Sequence, residues 1–164
     1  MLSRVVQDEI NEQIKNEFYS AYLYLSMAAY SEASNLPGFA HWFRLQSQEE
    51  LTHAMRFFDH VNNRGGRVLL HAIDLPPLEF ESPLDLFERT LEHERTVTAM
   101  IHRLYETAVQ EKDYTTQVEL QWFIAEQVEE ERTASQIVDT LKDVGGQSQG
   151  LLLLDRQLGS RKAG

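Results

Sequence analysis

Residues 82–111 read SPLDLFERTLEHERTVTAMIHRLYETAVQE, with no glycine or proline after Pro83. Ser82 can cap a helix, Pro83 suits its first position, and Asp85 falls three residues after the cap. Leu84, Phe87, Leu91, Glu94, Thr98, Ile101, Tyr105 and Ala108 then recur at alternating steps of three and four. That is the period of a helix with one buried face. The face is apolar at both ends and carries a carboxylate, Glu94, in the middle.

Glycine and proline are just as scarce on either side. Neither occurs before Pro37, between Gly38 and Gly65, or between Pro83 and Gly145. Breaker-free stretches rich in Glu, Gln, Leu and Ala predict long helices. The last stretch is too long for one globular helix, and Asp113 can cap a new start within it. The expected elements are residues 3–34, 38–64, 83–111 and 114–144, with Gly145 as the stop and a short fifth helix over 150–159. Short links make the first pair and the second pair antiparallel. The link from Gly65 to Ser82 is long, and its Leu69-Leu70, Ile73 and Leu75-Pro76-Pro77-Leu78 are apolar enough to lie against the bundle. A connection of that length can run the whole bundle and leave the second and third helices parallel. The expectation is an all-α four-helix bundle with one long crossover and a short fifth C-terminal helix, in a single domain over 1–164.

Composition narrows the function. The 164 residues include 26 acidic and 15 basic side chains, for a formal charge of −11, and no cysteine. One compact domain with a real core follows from that length. So acidic a chain lacks the basic footprint that nucleic acid requires and favours cations instead. Without cysteine there is no disulfide scaffold, thiolate nucleophile, Fe–S cluster or Cys-based zinc site. Any tight metal site must use carboxylates, histidines and amides. No apolar leader and no membrane span can be read, and the expected location is the cytoplasm.

All four long helices repeat the pattern of the third. The first runs Ile10, Ile14, Glu17, Ala21, Tyr24, Ala28, and the second Phe39, Phe43, Gln46, Glu50, His53, Phe57, Val61. The fourth runs Leu120, Phe123, Gln127, Glu130, Ala134, Ile137, Leu141, Val144. Every stripe is broken near its midpoint, the one level at which parallel and antiparallel helices coincide. Glu17, Glu50, Glu94 and Glu130 are therefore expected to meet at one height. Burying four unpartnered carboxylates costs several kcal/mol each, and two divalent cations would neutralise their four charges. Arg and Lys are absent from these stripes. Glu50 and His53 form a Glu-x-x-His pair on one helical face, and oxygen ligands with one imidazole suit Fe(II), Mn(II) or Zn(II). His41, His60, His71, His93 and His102 have no partner at ligand spacing and are read as structural or surface residues. Tyr24 by itself reads as a core tyrosine. Two other readings fit the same residues: a di-metal carboxylate oxidase or oxygenase acting on an organic substrate, and a bundle whose stripe polar groups only bond one another.

Three segments carry a family resemblance: Asn16-Glu17-Phe18-Tyr19-Ser20-Ala21-Tyr22-Leu23-Tyr24, Gln48-Glu49-Glu50-Leu51-Thr52-His53-Ala54, and Leu120-Gln121-Trp122-Phe123-Ile124-Ala125-Glu126-Gln127-Val128-Glu129-Glu130-Glu131. With them the chain resembles the non-haem ferritins of bacteria and archaea over nearly its whole length. The resemblance implies a ferroxidase, an Fe(II):oxygen oxidoreductase, with two irons per subunit. One would be held by Glu17, Glu50 and His53, the other by bridging Glu50, Glu94 and Glu130. Gln127 matches the family's glutamine beside the pair, and Tyr24 and Trp122 match aromatics close to it. Glu49, Glu126, Glu129 and Glu130 match an additional iron site. The resemblance also implies oxygen or peroxide as oxidant, and a hollow homo-oligomeric shell of roughly 24 subunits that stores the ferric mineral.

Relatives are separated by where the chain departs from them. Bacterioferritins, rubrerythrins and di-iron oxygenases carry a second Glu-x-x-His where this chain has Gln127-x-x-Glu130. Leu51 stands where bacterioferritin has its haem-ligating methionine, so no haem is expected. The absence of cysteine removes rubrerythrin's rubredoxin domain, and the starvation-type ferritins build their centre between subunits. Storage of iron is therefore favoured over substrate oxidation.

Overall fold

The computed structural model describes residues 1–164. Four long helices, α1 (Arg4–Ala33), α2 (Pro37–Asn63), α3 (Pro83–Gln110) and α4 (Tyr114–Val144), precede a short α5 (Ser148–Gly159). No helix is long and apolar enough to cross a membrane. Three helix starts are capped locally: Ser3 accepts from Val6 N–H, Ser82 from Asp85 N–H, and Asp113 from Thr116 N–H. The fourth, α2, has proline in its first turn and no cap of its own. Its cap comes from α5, where Asp155 Oδ1 accepts from the amides of Gly38 at 2.9 Å and Phe39 at 3.0 Å. α4 stops at Gly145, whose φ of 57° is left-handed.

Cross-links between helices set their directions. The α1–α2 ties run from Glu17–His53 to Ala21–Ser47, and the α2–α4 ties from Gln46–Glu130 to His60–Thr116. Those between α1 and α3 run from Thr107–Glu9 to Tyr24–Glu94. In each pair the numbers rise on one helix as they fall on the other, so α2 and α3 are parallel. The crossover, residues 64–82, makes this possible by running along α1. Arg67 N–H donates to Gln7, Asn11 bonds Arg67 O and Leu69 N–H, and Ser26 bonds Pro77 O.

Four details differ from the sequence expectation. The crossover is held by these polar ties, with Pro76 and Phe80 buried, while Leu70, Leu75 and Leu78 stay exposed. In α3 the buried seam is Phe87, Thr90, Glu94, Val97, Ile101, Leu104 and Ala108. Leu91, Thr98 and Tyr105 are half-buried on its flank, and Thr98 bonds Glu131 and Gln127 of α4. Both stripes share every seventh residue, so Glu94 belongs to either. In α4 Val138 is buried in place of Ile137. Finally, α5 begins at Ser148 and includes Gly150, where a Cβ would lie 3.0 Å from Val144 Cγ1; glycine lets the helix start pack on the end of α4.

The interior is divided. One apolar cluster gathers Tyr24, Met27, Phe39, Trp42, Phe43, Phe80, Phe87 and Leu141. A second, toward the other end, gathers Val6, Ile10, Ile14, Phe57, Val61, Ile101, Leu120 and Phe123. Between them lies a belt of buried polar side chains.

Candidate metal centre

Each long helix contributes to this belt at the interruption of its stripe. Glu17 of α1 and Glu50, His53 and Gln46 of α2 are buried, as are Glu94 of α3 and Gln127 of α4. Glu130 of α4 is half-buried. Two groups of three bring one ligand atom each within 4.8 Å of one another: Glu17, Glu50 and His53, and Glu50, Glu94 and Glu130. Glu50 belongs to both. His53 Nδ1 lies 3.2 Å from Glu50 Oε2 and 4.0 Å from Glu17 Oε2, so this ring nitrogen faces the carboxylates.

Amides and a phenol hold the carboxylates in place. Gln13 donates to Glu17 Oε1 at 2.9 Å, Gln46 to Glu50 at 3.3 Å and Glu130 at 2.8 Å, and Gln127 to Glu94 Oε2 at 3.0 Å. Tyr24 O–H donates to Glu94 Oε1. Trp122 sets its ring edge-on to His53, 5.4 Å between centroids, with the Arg56 guanidinium 4.0 Å from the Trp122 ring. His93 Nε2, facing Ser20 Oγ at 2.7 Å, packs against Tyr24 outside the ligand groups. Of the other histidines, His60 bonds Thr116, His71 bonds Glu12, His41 bonds the Arg161 carbonyl, and His102 is exposed.

No lysine or arginine pairs with Glu17, Glu50, Glu94 or Glu130. Burial consequently drives their proton affinities upward. It lifts Glu94 to about 7, against hydrogen bonds from Tyr24 and Gln127 that pull the other way. It lifts Glu130 to about 8, reinforced by the Glu94 charge. Glu17 and Glu50 lie well above the usual carboxylate range, again through burial first and then neighbouring carboxylates. Burial and Glu94 likewise push the Tyr24 phenol up. One atom shows what the belt lacks: Glu17 Oε2 is buried without any hydrogen-bond partner. A carboxylate oxygen beside a histidine nitrogen and a second carboxylate, with no donor to satisfy it, fits a cation.

Fold and belt together match a known family. Residues 7–144 match the ferritin family's ferritin-like domain. The chain belongs to the ferritins, in their bacterial and archaeal non-haem branch. It is 45% identical over 161 residues to the bacterial non-heme ferritin of Bacteroides fragilis (strain 638R), covering 98% of this chain and 100% of that one. With the bacterial non-heme ferritin of Staphylococcus aureus (strain USA300) it shares 36% over 161 residues, covering 98% and 97%. Among solved structures, the open-pore ferritin of Archaeoglobus fulgidus superposes with a TM-score of 0.98 at 51% identity, covering 99% of this chain and 100% of that one. An engineered closed form of the A. fulgidus ferritin gives the same TM-score and identity, with 99% of both chains covered.

The remaining expected ligands of this ferritin are placed differently. Neither three-residue group includes Glu49, Glu126 or Glu129. Glu49 is paired with Arg161 at 3.1 Å, Glu129 with Arg132, and Glu126 is half-buried. Three residues of the belt's surroundings escaped the sequence reading: Gln13, Arg161 and, as a site residue, Gln46. Gln46 stood on the α2 stripe and carried a signal. Arg161 carried none, because it arrives from beyond α5.

Proposed function

We propose that this ferritin oxidises Fe(II) with oxygen or peroxide at Glu17, Glu50, His53, Glu94 and Glu130, and stores the ferric product inside a shell built from copies of itself. The observation that supports it is the pair of buried ligand groups sharing Glu50, one of whose oxygens, on Glu17, has no partner. Two adjacent Fe(II) substrate ions supply two electrons together, which carries oxygen past its unfavourable one-electron reduction. The groups are unequal. The first includes an imidazole and is wholly buried; the second is all carboxylate and includes the half-buried Glu130, so its iron is held less firmly and can leave more readily. Gln127 donates to Glu94, which suits a glutamine acting on a ligand from outside the metal shell. Tyr24 holds Glu94 from the opposite side and is well placed to pass an electron. An additional site at Glu49, Glu126, Glu129 and Glu130 requires Glu49 and Glu129 to exchange their arginine partners for a cation.

The shell reading is supported by an exposed apolar groove on α1, α2 and the crossover, lined by Tyr22, Leu25, Leu51 and Ile73, with exposed Met55 one turn beyond Leu51 on α2. Oxidation of an organic substrate is less well supported, since none of the principal clefts is lined by Glu17, Glu50, Glu94 or Glu130. The test is aerobic addition of Fe(II), in large excess over two per chain, to metal-free protein, followed by gel filtration with iron quantified across the fractions. Hundreds of irons per assembly, eluting soluble in a very large particle, are expected. Two per chain on a small species would overturn storage while leaving the di-iron centre in place.

A further inference from the structure

Arg161 lies beyond the last helix, yet its guanidinium is among the most constrained groups on the surface. Nη1 donates to Gln46 Oε1 at 3.0 Å and to the Trp42 carbonyl at 3.2 Å, and Nη2 lies 3.1 Å from Glu49 Oε2. The guanidinium carbon stands 4.6 Å over the Trp42 ring, and His41 Nε2 meets the Arg161 carbonyl at 2.7 Å. All of these partners lie on α2, the helix whose start is capped by Asp155 of α5. Docking α5 thus delivers Arg161 to one turn above Glu50.

The consequence runs through Gln46. An amide has an accepting oxygen and a donating nitrogen, and guanidinium can only donate. With Arg161 on the oxygen, the nitrogen must face the other way, toward Glu50 at 3.3 Å and Glu130 at 2.8 Å. Glu130 has no other hydrogen-bond partner in the molecule, whereas Glu17, Glu50 and Glu94 lie deeper in the belt. The positive charge also polarises the amide, strengthening its N–H donors toward the carboxylates.

We propose that Arg161 is a positioning residue for the second metal of the pair, acting through Gln46 on Glu130. This rests on the di-metal reading of the belt. The Glu17, Glu50 and His53 group is affected less, because Gln46 reaches only its Glu50, at 3.3 Å against 2.8 Å for Glu130, and leaves Glu17 and His53 untouched. The C-terminal segment therefore sets the asymmetry of the centre, holding the looser ligand in place and covering Glu49 with a fixed cation.

The test is anaerobic Co(II) titration of the metal-free assembled protein, followed by the visible absorption bands of bound Co(II), for the wild type, Arg161→Gln, Gln46→Leu and the double variant. The wild type is expected to bind two Co(II) per chain. Arg161→Gln keeps the first equivalent and weakens the second about 10-fold, with helix content unchanged. Gln46→Leu weakens the second at least as much, and adding Arg161→Gln to it causes no further loss, as expected for residues acting in series. Wild-type binding of both equivalents by Arg161→Gln overturns the proposal, as does an equal weakening of both or additivity in the double variant. A wild type that binds no Co(II) overturns the di-metal reading itself, and this proposal with it.

Discussion

Glu50 is the residue on which the centre turns, since it alone belongs to both ligand groups. Glu50→Ala is expected to slow the fast phase of Fe(II) oxidation at least 100-fold, beyond the 10–100-fold typical of outer-shell changes. Stopped-flow absorbance of the ferric product measures this, and a fast phase surviving in Glu50→Ala or His53→Ala would remove the site assignment. The carboxylates also make a prediction about pH. Glu94, at about 7, and Glu130, at about 8, hold protons in the folded chain that the unfolded chain has released above about 4.5. Folded proton affinities raised in this way favour the fold at low pH and lose that effect as pH rises through 7 and 8. His93, lowered to about 4 by burial, has the opposite slope, confined to pH below its ordinary 6.5. Urea denaturation of metal-free protein between pH 6.5 and 8.5 should therefore show falling stability, on the order of a few kcal/mol. Zn(II) should flatten that slope, because a bound cation replaces the protons. A flat metal-free profile would contradict the burial argument.

At the scale of elements, α5 acts as a cap for α2. A Cβ on Gly38 would lie 1.6 Å from the Asp155 carbonyl oxygen, a contact no side chain survives. Gly38→Ala should undock α5, which hydrogen exchange would report as lost protection over residues 148–159. Asp155→Ala removes the acceptor and should cost about 1–2 kcal/mol in urea denaturation. Unchanged stability in Asp155→Ala would mean that α5 is held by Leu154 and Leu158 alone, which are buried in the first apolar cluster. The helices themselves were legible because breaker-free stretches and caps are local features. Ser82, Asp113 and Gly145 mark their ends by chemistry that acts within four residues, whereas the Ser3 cap of α1 emerged only from the structure. The cap of α2 was not legible, since its acceptor sits 117 positions away from Gly38 in the chain.

For the molecule as a whole, the apolar patch at Tyr22, Leu25, Leu51, Met55 and Ile73 is the surface most in need of a partner. Leu25→Arg should reduce the particle seen by gel filtration while each chain still binds two Co(II), because the Leu25 side chain is exposed and belongs to neither ligand group. A full-sized particle from Leu25→Arg would place the subunit contact elsewhere. The division of the core also matters at this scale. Two apolar clusters on either side of the belt supply the burial that holds four carboxylates in proximity despite their repulsion.

Periodicity determined which residues interrupt each stripe and that the interruptions share one level, because a helix converts sequence spacing into height and direction at a constant rate. Glu17, Glu50, His53, Glu94 and Glu130 were all readable on that basis. Small errors of register did no harm: the α3 seam differs from the expected stripe at Thr90, Val97 and Leu104, yet both pass through Glu94. Tertiary structure alone decided which hydrogen bonds hold those ligands, that Glu17 Oε2 goes without one, and that Glu49 faces a guanidinium. Those outcomes depend on rotamers and on a C-terminal segment folding back over α2, contacts across more than a hundred residues that no local period encodes.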